Sequence, residues 1–254
     1  MKKLLIANWK MNPESIAEAK NLFMDVKKVA SRLNGVETVI APPYIFLAEL
    51  RRLYTGKRVM FAGQDVFWEE KGAFTGEISP SMLKNIGVSY VIVGHSERRA
   101  LGESDEIVNQ KVLASARAGL RAVVCIGEST RDHTDGAHLI FLAGQVESAL
   151  AGLGGKMLSR IAIAYEPIWA IGKSAEDAMR PFELHETVLL IRKTLARKYG
   201  KAHAMRVPVL YGGSVEKENT LSLLTDGAVN GFLVGHASLS GPKFNDILRV
   251  AHSA

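Results

Sequence analysis

The sequence predicts an α/β fold, a single closed (β/α)8 barrel. Two features carry this expectation. Eight short apolar runs recur along the 254 residues, and amphipathic segments separate them with no linker or break in composition. The runs are Leu4–Ala7, Val36–Ala41, Arg58–Ala62, Tyr90–Val93, Ala122–Ile126, Ile161–Tyr165, Val207–Tyr211 and Gly231–Val234. They are almost continuously apolar rather than alternating, as parallel strands covered on both faces require. A barrel of about 250 residues is an ordinary size, so one domain over residues 1–254 is expected. A doubly wound open sheet is the competing fold. It would need a glycine-rich turn after an early strand, and Asn8-Trp9-Lys10 is no such turn.

The segments between the runs read as helices. After the first run, Asn12 can cap and Pro13 stands at the first helical position. Ile16, Ala19, Phe23, Val26 and Ala30 then share one face, leaving Glu18, Lys20, Lys27 and Lys28 for solvent. The segment before the seventh run repeats the pattern, with Pro181 near its start and Leu184, Val188, Ile191 and Leu195 in a stripe.

Composition narrows the function classes. Hydrophobic residues make up 47% and charged residues 23%, which excludes a disordered chain. A formal charge of +6 suits nucleic acid, anionic lipid, or an anionic metabolite steered to a basic mouth. Lys and Arg are spread along the chain without a block of like charge, so nucleic-acid binding has no motif to rest on. Cys125 is the only cysteine, which rules out an intramolecular disulfide and a cysteine-rich metal site. Lys2-Lys3 precede an apolar stretch too short for a secretion signal, and no window approaches a membrane span. A soluble protein of the cytoplasm is the expectation, with no membrane partner.

Unusual polar residues fall just past the apolar runs, on the barrel face where function is built. Asn8 and Lys10 follow the first run, His95 the fourth, Glu166 the sixth, Ser214 the seventh and Gly235 the eighth. Lys10 is either a solvated loop lysine or a fixed positive charge at a pocket floor, useful to an anionic substrate and a developing oxyanion. His95 is either a satisfied structural histidine or an electrophile. Ser96-Glu97-Arg98-Arg99 can open a short helix behind it, and a helix N-terminus favours uncharged imidazole. Glu166 closes an apolar strand and is followed by Pro167 and a loop running to Gly172, which suits a general base shielded from water. Gly212-Gly213-Ser214, with Val215 opening a helix, reads as a phosphate cradle of backbone N–H groups, and Val234-Gly235-His236 offers a second turn.

Six segments together resemble the triosephosphate isomerase family, in the family's order. They are Asn8-Trp9-Lys10-Met11-Asn12, Gly72-Ala73-Phe74-Thr75-Gly76-Glu77, Gly94-His95-Ser96-Glu97-Arg98-Arg99, Cys125-Ile126-Gly127-Glu128, Tyr165 through Gly172, and Tyr211-Gly212-Gly213-Ser214-Val215. The glutamate base, the neutral histidine and the closing loop are what this resemblance implies. The resemblance implies a TIM barrel that interconverts dihydroxyacetone phosphate and D-glyceraldehyde 3-phosphate through an enediolate, in glycolysis and gluconeogenesis. It implies no cofactor and no metal. Glu166 then resembles the base, His95 the proton shuttle, Lys10 the substrate-binding cation and Asn8 its polarising neighbour. Glu97 resembles the residue ordering Lys10 and the histidine loop, with Ser96 in support. Gly172, Ser214 and Gly235 match phosphate-binding backbone, and His236 stands where the family usually has glycine. Tyr211 and Ser214 match groups that hold a closed lid, and Cys125 a structural cysteine. The Phe74-Thr75-Gly76 loop matches one that enters a neighbouring subunit, which implies a homodimer. The family's usual Thr-Gly in the lid is missing here, or is replaced by Lys173-Ser174 with residues added before Pro181. With His236, this altered lid motivates an alternative, an isomerase of a four-carbon ketose phosphate on the same site. A non-catalytic phosphate binder is the reading from another class, and it gives no reason for Glu166.

Overall fold

A computed structural model describes residues 2–131, 136–170 and 179–254. Its strands are β1 (Lys3–Asn8), β2 (Val36–Ala41), β3 (Val59–Gly63), β4 (Tyr90–Val93), β5 (Arg121–Ile126), β6 (Ile161–Tyr165), β7 (Val209–Tyr211) and β8 (Gly231–Val234). All pair in parallel and in sequence order, and β8 closes on β1 through Leu4 opposite Gly231 to Ala7 opposite Val234. The helices are α1 (Ile16–Ala30), α2 (Tyr44–Leu53), α3 (Pro80–Asn85), α4 (Ser96–Ala100), α5 (Asp105–Arg117), α6 (Ala137–Ala149), α7 (Pro181–Tyr199), α8 (Lys201–Ala204), α9 (Lys217–Thr225) and α10 (Gly241–Ser253). Among the described residues no helix is long and apolar enough to cross a membrane.

Each expected strand is present, and two helix starts differ from expectation. β7 begins at Val209 because Pro208 has no N–H to give a ladder. Helix α1 begins at Ile16, not at Pro13. Its cap is Ser15, whose hydroxyl accepts from the Glu18 N–H at 3.3 Å, while Asn12 and Pro13 stay in the connecting loop. Ala19, Phe23, Val26 and Ala30 are buried as expected, and Ile16, at the very start, stays exposed. On α7 the whole expected stripe is buried.

Strand parity splits the core into two layers. Leu5, Ala7 and Trp9 face outward to the helices, as do Val124, Ile126, Ile163 and Tyr165. Leu4, Ile6, Val39, Ile92, Val123, Ala162, Ala164, Leu210 and Leu233 fill the barrel interior. Because side chains alternate along a strand, the inward sequence Leu4, Ile6 continues to Asn8, and Ala162, Ala164 continues to Glu166. Parity therefore delivers both polar residues to the interior at the carboxyl end of the barrel.

A buried ionic cluster braces that end. The Lys111 ammonium, 3% exposed, donates to both Asp65 oxygens at 2.7 Å and also to Glu103. Arg98 reaches the same two carboxylates at 3.0 and 2.7 Å. Burial pulls the Asp65 carboxyl up while the cations pull Glu103 below its ordinary value. The cluster ties the connection after β3 to α4 and α5.

Closure at the β1–β8 seam depends on glycine. Gly231 has φ of +149°, and a Cβ there would stand 1.9 Å from the Leu4 carbonyl oxygen. Gly231→Ala should therefore destabilise the barrel by about 3 kcal/mol or more, read as a lowered urea midpoint, because backbone rather than a side chain must yield.

Candidate active site

The connection after β1 places the first two residues. Trp9 is wholly buried in the outer layer, which turns Asn8 and Lys10 toward the barrel axis. Lys10 has φ of +52°, uncommon for a residue with a Cβ. Two contacts hold it there: Asn8 Oδ1 accepts the Lys10 N–H at 3.1 Å, and the Gln64 side-chain amide donates to the Lys10 and Ala41 carbonyls at 2.8 Å. The Lys10 ammonium meets Glu97 Oε1 at 2.7 Å.

After β4, Gly94 (φ +72°) turns the chain so that His95 caps the short helix α4. His95 Nδ1 accepts the Glu97 N–H at 3.2 Å. A nitrogen accepting a hydrogen bond carries no proton, so this pattern assigns a neutral ring with its proton on Nε2. Nε2 lies 3.2 Å from Glu166 Oε1, and the Ser96 N–H donates to Glu166 Oε2 at 3.0 Å. The expected short helix behind the histidine is present, and its first N–H reaches the candidate base directly.

Glu166 is 2% exposed. Its own N–H donates to Ile126 O at 2.8 Å. Space for it exists only because two neighbours are glycine. A Cβ on Gly127 would lie 1.8 Å from the Glu166 carbonyl oxygen, and one on Gly212 would lie 2.8 Å from its Cγ. Below it, burial and then the Glu166 carboxylate push the Cys125 thiol well up, which keeps it a neutral core group.

The ends of β7 and β8 complete a cavity of about 280 Å3, bordered by Lys10, His95, Glu166, Ser214, Gly235 and His236. The expected helix N-terminus at Val215 is displaced. Helix α9 starts at Lys217, and Glu216 with Asn219 forms its capping box. The cavity is instead faced by turn backbone: the N–H groups of Gly213, Gly235 and His236 find no acceptor among the described residues. The His236 side chain is exposed at the rim. Ser214 Oγ donates to Ala170 O at 3.3 Å. Tyr211 lies outside the cavity, in the outer layer, its hydroxyl pushed up to about 12 by burial. Gly172, like Lys173 and Ser174, lies outside the described residues.

Four residues escaped the sequence reading as individuals. Gln64 holds Lys10. Arg99 donates to Gly94 O at 2.9 Å and pairs with Asp105 at 2.6 Å, bracing the histidine turn. Gly127 makes room for Glu166. Buried Glu128 accepts from the Tyr165 hydroxyl at 2.8 Å and the Trp169 indole N–H at 2.9 Å, fixing the start of the segment after β6. Gln64 carried no signal, whereas the other three stood inside quoted motifs without an assigned task.

A carboxylate and a neutral imidazole donor converge on one small cavity with an ammonium and unoccupied backbone donors. That set is suited to moving a proton next to a carbonyl in a small phosphorylated substrate. Barrel and site thus define an acid–base enzyme of the (β/α)8 class. The sequence profile of triosephosphate isomerase matches residues 3–251. A triosephosphate isomerase of Thermoanaerobacter pseudethanolicus is 41% identical over 253 residues, covering 98% of this chain and 99% of the relative. One of Dehalococcoides mccartyi is 42% identical over 253 residues, covering 99% and 98%. One of Pelobacter propionicus is 40% identical over 248 residues, covering 96% and 97%. The chain belongs to the triosephosphate isomerase family. Nothing in these relatives supports the four-carbon alternative.

The Gly127 contact is testable. Gly127→Ala should drop kcat about 100-fold with a smaller change in KM, since the Glu166 backbone must shift by an amount of order 1 Å. Steady-state kinetics on the folded variant, checked by circular dichroism, decides this; normal turnover would remove Gly127 from the site.

Proposed function

We propose that this chain interconverts dihydroxyacetone phosphate and D-glyceraldehyde 3-phosphate through an enediolate. The observation that carries the proposal is the shared grip on Glu166: His95 Nε2 at 3.2 Å and the Ser96 N–H at 3.0 Å. A substrate entering between Glu166 and His95 meets a base on one side and an N–H donor on the other. Glu166 takes a proton from the carbon beside the carbonyl, and the carbonyl oxygen, gaining electron density, accepts a hydrogen bond from Nε2–H. The proton returns from Glu166 to the neighbouring carbon after His95 has moved one between the two oxygens. Lys10 and Asn8 stabilise the negative charge on that oxygen pair. Glu97 and Ser96 support them by holding Lys10 and the carboxylate. The backbone N–H groups of Gly213, Gly235 and His236 bind the phosphate with Ser214 beside them, and the His236 side chain is left at the rim. Tyr211 and Ser214 secure the segment after β6.

A homodimer is the second part of the proposal. Phe74 packs on Phe67 at 4.6 Å yet stays 43% exposed, and open space surrounds Gly76. Met11, Ile45 and Met82, exposed at 92, 81 and 55%, stand in or beside the connections after β1, β2 and β3. Exposed apolar side chains on the Phe74-Thr75-Gly76 loop and on these connections are what a partner subunit would cover. Sedimentation should find a dimer. Thr75→Arg should give monomers with kcat/KM lowered at least about tenfold, through loss of support for the neighbouring Lys10 turn; a fully active monomer would refute the coupling.

The chemistry has its own tests in a coupled assay of glyceraldehyde 3-phosphate turnover. Glu166→Asp withdraws the carboxylate by one methylene, so kcat should fall about 100-fold or more, with KM changed far less. Lys10→Met should impair KM and kcat together, with kcat down by about 100- to 1000-fold, the scale of a lost oxyanion donor. Near-normal kcat/KM in Lys10→Met would mean that the substrate binds elsewhere.

A further inference from the structure

The amino-terminal mouth of the barrel, opposite the site just described, holds a second cavity. Its volume is about 570 Å3, roughly twice the 280 Å3 of the first. Lys2, Lys57, Arg58, Lys84, Arg121 and Arg160 stand around it, and Glu37 is the one carboxylate in its lining. These cations precede or open β1, β3, β5 and β6, except Lys84, which comes from α3. All six are exposed, while the floor is closed by buried Tyr90 and half-buried Met60.

The local acceptors do not match this charge. Glu37 is already engaged: it accepts from Arg121 Nη1 at 2.9 Å and from the Tyr90 hydroxyl, which in turn accepts from Arg121 at 2.6 Å. Lys84 Nζ and Arg160 Nη1 converge on a single acceptor, Gly119 O, at 3.1 and 2.9 Å. Most donors on those two side chains remain unused. Lys2, Lys57 and Arg58 have no acidic partner among the described residues. By contrast, six arginines elsewhere, Arg52, Arg98, Arg99, Arg180, Arg197 and Arg249, each sit on a carboxylate. Gathered like charge of this kind opposes the folded state unless an anion occupies it.

The geometry points to a binding site for a polyphosphate chain, either free or borne by a nucleoside. A single phosphate would engage only part of a ring drawn from five separate segments. Several linked phosphoryl groups can bridge opposite sides of the ring, each taking charge-assisted hydrogen bonds from lysine and arginine. The concave mouth, with its charge gathered in one place, suits a compact chain better than a nucleic-acid strand, which needs an extended basic track. The six residues of β2 separate the two mouths by about 20 Å. Occupancy here therefore leaves the substrate site open. Because only the folded chain assembles the ring, the anion should also stabilise the fold.

Calorimetric titration with sodium tripolyphosphate, and separately with ATP, at one fixed ionic strength tests this. Three proteins are compared: the unaltered chain, Lys10→Met, and the triple variant Lys57→Gln/Lys84→Gln/Arg160→Gln. Tripolyphosphate should bind the unaltered chain and Lys10→Met alike and raise their Tm. It should bind the triple variant at least tenfold more weakly, with no rise in Tm, while that variant keeps normal kcat/KM. If the triple variant does not fold, Lys57→Gln alone carries the comparison, with about threefold weakening expected. Tighter binding of ATP than of tripolyphosphate would assign the nucleoside-borne chain, and the reverse the free one. The proposal is overturned if affinity is unchanged in the charge-depleted variant. It is also overturned if binding is lost in Lys10→Met, which would place the anion in the substrate site, or if a single-stranded oligonucleotide binds this mouth more tightly than either probe.

Discussion

Burying Glu166 is the constraint on which the rest of this site depends. A carboxylate taken out of water costs several kcal/mol unless hydrogen bonds replace its hydration. Here the replacement is the hydrogen bond from the Ser96 N–H, with the His95 ring nitrogen in contact at 3.2 Å, and both are placed by the turn at Gly94 into a helix about one turn long. His95 caps that helix with Nδ1, which leaves Nε2–H as the donor facing the carboxylate. One capping interaction therefore sets the imidazole tautomer and turns Nε2 toward the Glu166 carboxylate. The histidine turn thus supplies both contacts to the carboxylate.

Room for that arrangement is as restricted as its hydrogen bonding. Gly127 and Gly212 are needed because Glu166 passes within a bond length or two of where their side chains would be. On the facing side, Lys10 keeps its unfavourable φ because Asn8 and Gln64 take up its N–H and carbonyl. The ionic cluster of Asp65, Lys111, Glu103 and Arg98 then joins the segment carrying Gln64 to the helices that carry and follow the histidine turn. Strain at Lys10 and the buried Glu166 are thus accommodated by residues from five different strand ends, which a closed barrel brings together.

The strands were legible because a parallel barrel buries both faces and so writes nearly unbroken apolar runs. The same property hid which face was which. Leu4 and Leu5 read alike, and only Asn8 and Glu166 reveal which parity points inward. Polar residues at strand ends could be read individually, whereas contacts between distant segments could not. Gln64 reaches residues 54 and 23 positions away, and nothing in its neighbourhood marks it. Helix starts failed for a local reason: Ser15 outcompetes Asn12 as a cap for α1, and Glu216 delays α9 past Val215. The second failure matters more, because it moves the phosphate-facing donors from a helix N-terminus to the turns themselves.

That shift bears on the role of charge. A net +6 suggested a basic mouth drawing in an anionic substrate, yet among the described residues the cavity beside Glu166 has Lys10 as its one lysine or arginine, with Glu97 bonded to it and Glu216 also in its lining. The cationic surplus stands at the opposite end of the barrel. At the proposed catalytic mouth an anionic group is met chiefly by neutral N–H donors on Gly213, Gly235 and His236. Fixed dipoles of this kind can bind a phosphate without adding a positive charge that would draw on the Glu166 carboxylate. A lysine-rich phosphate site in the same cavity would hold the anion more strongly and make the carboxylate a weaker base. Separating the backbone donors from the single ammonium lets one small cavity bind an anion and still present a carboxylate able to take a proton from carbon.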